Sequence, residues 1–125
     1  NFTATTGNTF KIALYDSDAT LGAGTTAFTT SEEITNTSGT AYTSGGATLT
    51  SVTPVASSTT ALCDFADVSF SSATFTANGA LIYNSSATNA AVAAIAFGSD
   101  KTATNGTFTI QFPAADASNA IIRLA

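Results

Sequence analysis

The run Ala80-Leu-Ile-Tyr83 has almost no polar face, and the dipeptide Asn78-Gly79 stands directly before it. A short stretch that is apolar on both sides belongs inside a packed sheet, so it predicts the central strand of the fold. Asn78 and Gly79 both tolerate positive φ and read as a tight turn. Ser85 to Asn89 reads as a hairpin loop, and Ala91-Val-Ala-Ala-Ile-Ala-Phe97 returns from it, again apolar on both faces. That run is the expected neighbour of Ala80 to Tyr83. A helix is the rival reading of its alanines, but its seven-residue length and the Gly98 that follows favour a strand.

The rest of the chain alternates in the same manner. Phe10, Ile12 and Leu14 take one face of Phe10-Lys-Ile-Ala-Leu-Tyr15, the pattern of a strand with one buried side. Asp16 to Gly24 is a loop. Ser31-Glu-Glu-Ile34 predicts a single helical turn capped by Ser31. Thr40 to Gly46 is a second loop, with Tyr42 as its anchor and Gly45-Gly46 as its flexible end. Ala47 to Ala56 reads as a strand that Pro54 confines to an edge or a bulge. Ser57-Ser58 then turns the chain into Thr59 to Phe65.

Val68 to Phe70 and Ala73 to Thr76 follow as short strands. Asn105-Gly106 predicts another turn, into Thr107 to Phe112 with Phe108, Ile110 and Phe112 inward. Pro113 ends that strand, and Ala120 to Ala125 closes the chain. About eight short strands without the long crossovers that parallel sheets need predict an all-β fold, an antiparallel β-sandwich or jelly roll.

Composition supports that class. Residues 1–125 are expected to form a single β-sandwich domain, exposing about 18,000 Å² unfolded and about 6,000 Å² folded. Much of the apolar fraction is alanine, so the nine phenylalanines must supply most of the core volume. Only 9% of residues are charged, while 25 Thr and 14 Ser do the solvating. Branched Thr also stiffens extended backbone. Three basic residues against eight acidic ones leave a net charge of −5, too few cations to track phosphates, so no nucleic-acid partner is expected. No apolar run approaches the roughly 18 residues of a membrane span. Cys63, the single cysteine, sits in an apolar run and reads as a small core residue.

The residues that carry chemistry are few. The chain has no histidine, which removes a Ser-His-Asp triad and most zinc sites. No phosphate-cradling glycine motif occurs. Asp16 and Asp18 offer two oxygen ligands to calcium, but turn capping is the favoured reading. Asp64 and Asp67 are the candidate acid pair for glycoside hydrolysis, yet strand alternation sets residues three apart on opposite faces. Asn-x-Ser/Thr triplets at Asn1, Asn36, Asn84 and Asn105 match what chance yields in so Thr-rich a chain. Lys11 or Lys101 beside Asn or Asp would permit an isopeptide, for which the sequence offers no support. No catalytic residue, metal or cofactor is therefore expected. Tyr15, Tyr42 and Tyr83 are the candidate anchors of loops or subunit contacts.

One order of segments runs through nearly the whole chain. It comprises Lys11-Ile-Ala-Leu-Tyr15, Ala19-Thr-Leu21, Tyr42-Thr-Ser-Gly-Gly46, Asp64-Phe-Ala-Asp-Val68 and Ala73-Thr-Phe-Thr-Ala77. Gly79-Ala-Leu-Ile-Tyr-Asn84, Phe97-Gly-Ser-Asp-Lys101, Gly106-Thr-Phe-Thr-Ile110 and Ile121-Ile-Arg-Leu-Ala125 complete it. In these segments the chain resembles a family of small virion structural proteins of tailed bacteriophages, whose members serve as head decoration, minor capsid or tail components. The resemblance implies a non-enzymatic assembly protein on the exterior of the particle. Its implied partners are the major capsid protein shell and copies of itself, as a homo-oligomer. A tail-fibre module that recognises host glycans is the alternative, and it calls for a groove rimmed by exposed tyrosine.

Overall fold

A computed structural model describes residues 1–35 and 42–124. Its strands are β1 (Phe10–Tyr15), β2 (Ala47–Thr48), β3 (Val55–Ser57), β4 (Thr60–Cys63), β5 (Val68–Asn84), β6 (Ala90–Ile110) and β7 (Ile122–Leu124). Among the described residues there is no helix, so none is long and apolar enough to cross a membrane. Every strand pairing is antiparallel. One sheet has the order β2-β1-β5-β6 and the other β3-β4-β7. The chain is all-β, with an exposed surface of 6567 Å², close to the area expected of a folded chain this size.

Ala80 to Tyr83 lies within β5, between β1 and β6, and none of the four is more than 3% exposed. The return run is its neighbour, with Ala80 opposite Ile95, Leu81 opposite Ala94 and Ile82 opposite Ala93. On the other side Ile12 faces Ile82 and Ala13 faces Leu81. Opposed residues share a face, so β1 and β5 build two apolar layers together. Phe10, Ile12, Leu14, Ala80 and Ile82 point into the main core. Ala13, Tyr15, Leu81 and Tyr83 point the other way, where Ala19, Leu21 and Phe28 cover them. The strand expected to have one buried side thus has two, because the segment after Tyr15 folds back over its second face.

Every phenylalanine has an aromatic neighbour. Phe2 stacks on Phe10 at 4.5 Å, Phe10 meets Phe65, and Phe65 meets Phe112. Tyr42, Phe70, Phe75, Phe108 and Phe97 form a second chain of rings. Full burial of a ring, as at Phe10, Phe65 and Phe70, contributes roughly 1.5–3 kcal/mol, which lets a core poor in large aliphatics hold.

The two Asn-Gly turns are not turns. β5 runs unbroken through Asn78-Gly79 and β6 through Asn105-Gly106, so the five short strands expected between Val68 and Phe112 merge into two long ones. Neither Asn78 nor Gly79 has positive φ, and a Cβ on Gly79 would come within 2.9 Å of the Ile95 carbonyl oxygen. The glycine serves close strand approach. Asn105, with φ 47, marks a bulge, and its N–H donates to Thr74 Oγ1 at 3.0 Å. Register slips at Phe70/Ala73, Ala73/Phe75, Ala77/Gly79 and Ile82/Tyr83 bend the ribbon. Through that bend Phe70 and Phe75 reach Tyr42.

Other expectations also change. Ser31 to Ile34 is no helical turn: Glu32 has φ 58, Glu33 bridges Tyr15, and the Ile34 N–H donates to the Leu14 carbonyl. Ala47 to Ala56 is two pieces, β2 and β3, with Pro54 immediately before the second. The turn at Ser57-Ser58 does join β3 to β4, with Ser58 at φ 55. β6 ends at Ile110, so Phe112 lies beyond the strand, although it still packs on the core. Asn36, the loop start at Thr40 and Ala41, and Ala125 lie outside the described residues.

Candidate functional site

The three tyrosines converge on one structural problem, which is how a long excursion between β1 and β2 is held to the sheet. Tyr15 ends β1 and donates from its hydroxyl to the Thr29 carbonyl at 2.6 Å. Tyr83, on β5, donates to the Gly45 carbonyl at 2.7 Å. Tyr42 accepts the Leu14 N–H at 2.9 Å and donates to Glu33 Oε1 at 2.7 Å. Glu33, only 8% exposed, also accepts from Gly45 N–H at 2.6 Å and from the Ser44 hydroxyl at 2.7 Å. A buried carboxylate needs such donors to offset its lost hydration. Gly46 closes the loop with φ 71, and a Cβ there would lie 1.8 Å from the Ile12 carbonyl oxygen. Only glycine fits.

Burial raises the Tyr15 hydroxyl to about 12. Burial, and then the hydrogen bond to Glu33, pushes Tyr42 further up. Tyr83 rises through burial and the charge of Glu33. Phenols held this way keep their protons at neutral pH and act as fixed donors, so the cluster fastens the loops. Sequence reasoning missed Glu33. Its partners lie nine or more residues away and meet it only through the fold.

The other candidates separate. Asp16, Asp18 and Glu32 bring one carboxylate oxygen each within 4.8 Å of one another. Asp16 Oδ1 accepts the Asp18 N–H at 2.9 Å, which is the turn-capping arrangement. Asp67 caps the end of β6 by accepting the Phe112 N–H at 2.8 Å. Asp64 Oδ1 is buried without a hydrogen-bond partner among the described residues. Lys101 donates to Ser99, and Lys11 Nζ lies near the Gly45 backbone, so neither contact is with Asn or Asp. Cys63 is buried, and burial pushes its thiol up.

The β5–β6 ribbon faces outward chiefly through β6, while β5 buries Phe70, Phe75 and Ala80 to Tyr83. Its 17 and 21 residues include only two charged side chains, Asp100 and Lys101. Hydroxyls pair across it, Ser69 with Thr109 at 2.9 Å and Thr76 with Thr102 at 2.8 Å. Beside them Ile95, Phe97, Phe108, Ile110, Phe112 and Ile121 line an open apolar groove of about 560 Å³. Such a surface suits contact over area. Comparison with protein families, with curated proteins and with solved structures returns no match.

Proposed function

We propose that this chain is a non-enzymatic structural protein of a tailed-phage particle, a decoration or cement protein that binds the outside of the head and stabilises its shell. The observation that carries this reading is the β5–β6 ribbon, a long sheet surface of hydroxyl and apolar groups with two charges. Covering it desolvates few ions and immobilises few long side chains, which favours adhesion to a protein shell. The buried Glu33 cluster supports the same reading by stiffening the loops of a small body. We read the two sheets as an open β-sandwich. The net charge of −5 disfavours adsorption to packaged nucleic acid.

The glycan-binding alternative calls for exposed tyrosines. Tyr15, Tyr42 and Tyr83 are all buried, with hydroxyls tied to the protein's own loops. Co-sedimentation with purified undecorated heads tests the proposal. Saturable binding that raises the heat resistance of the shells supports it, and binding to host cells but not to shells contradicts it.

A further inference from the structure

β6 is the outer strand of the larger sheet. The loop carrying Thr26 and Phe28 bonds the backbone of Ala91 and Asn89. Beyond that point no strand flanks the outer side of β6 among the described residues. The free edge begins at Val92, within Ala90 to Gly98, nine residues without one polar side chain. Natural edges are usually kept short, bulged or charged. β2, β3 and β7 follow that rule at two or three residues each, whereas β6 from Val92 to Gly98 carries no charge. Its register with β5 is regular from Ala93 to Ala96, with slips only on either side.

We propose that β6 pairs antiparallel with β6 of a second copy about a two-fold axis at Ile95. The proposal deepens the particle-protein reading, which includes self-association. The Ile95 carbonyl faces Gly79 on β5. Backbone alternation therefore turns the N–H and C=O of Ala94 and Ala96 outward. In a two-fold pairing opposed residues must lie on one face, so Ile95 meets Ile95 of the other copy. Ala94 then faces Ala96, and these two exchange both backbone hydrogen bonds. Small residues meet on one side of the sheet, while on the other Phe97 covers Ala93. No charge meets a like charge, because about Ile95 the uncharged Ala90 and Asn89 lie opposite Asp100 and Lys101. The Ile95 face carries the apolar groove of Phe97 and Phe108, so the grooves of two copies join. The pairing is isologous and closes as a dimer.

Sedimentation of the intact chain over a concentration series tests this, with the expected mass twice the 12.4 kDa of one chain. Ala94→Pro removes an outward N–H at a position where an edge strand accepts proline, and should halve that mass with the circular dichroism unchanged. Ile95→Cys should give a disulfide-linked dimer on mild oxidation, because opposed non-hydrogen-bonded residues lie within bridging range. Thr107→Cys, further along β6, should not. The cysteine pair decides the matter if the proline variant does not fold. A single-chain mass at every concentration, another stoichiometry, an undiminished dimer in folded Ala94→Pro, or equal cross-linking of both cysteines overturns the proposal. A β6 dimer that ignores phage heads would leave this inference standing and refute the decoration reading.

Discussion

Tyr42 holds two partners with one oxygen, Leu14 N–H and Glu33 Oε1, and both are buried with it. Tyr42→Phe leaves the Leu14 N–H unpaired and should cost about 1–3 kcal/mol, read from the denaturant midpoint. Tyr15→Phe removes one partly buried bond and should cost about 1 kcal/mol by the same assay. The order of the two separates a shared node from a single tie. The phenols also set a pH response. Tyr15 keeps its proton to about 12 in the fold, against 10.0 as its ordinary value. Between those values the folded state binds more protons than the unfolded one, so stability falls as pH rises. Below pH 10 this contribution is whole. The melting temperature should therefore decline from pH 10 to 12 as far as Tyr15 is concerned, and Tyr15→Phe should flatten part of that decline.

Glycine separates what a turn needs from what a sheet needs. Gly46→Ala meets both a positive φ and the Ile12 carbonyl, and should cost about 3 kcal/mol or more in thermal or chemical unfolding. Gly98→Ala meets only the positive φ and should cost about 1–2 kcal/mol. Gly22→Ala meets neither and should change stability by less than about 0.5 kcal/mol. The same distinction explains which elements were legible in the sequence. β1 and the hairpin of Ala80–Tyr83 with Ala91–Phe97 were readable because alternation and doubly apolar runs are local signals. Asn78-Gly79 and Asn105-Gly106 misled because bulges and close strand approach use the residues that turns use. Nothing local distinguishes the cases. Only the pairing of β5 with β6 along their length decides that the chain continues straight. The Glu33 cluster was hidden for a similar reason, since its donors come from segments that the sequence leaves apart.

At the scale of the molecule, two apolar layers on β1 and β5 form the centre, and β6 adds an outer strand with only two charged side chains. The Tyr–Glu33 cluster ties the segments at Thr29 and Gly45 to the sheet. Adhesion through the ribbon should also be tolerant of salt, because Asp100 and Lys101 are its only charges. Binding to heads measured at low and high ionic strength should differ little, whereas a steep salt dependence would indicate a charge-driven contact elsewhere. The most direct measurement is the mass ratio of this chain to the major capsid protein after saturating binding to undecorated heads and washing. A fixed stoichiometric ratio, reached at saturation and accompanied by greater resistance of the shell to heat, is the expected result. Recovery of shells free of the chain, or of only a few copies per head, would contradict the decoration reading.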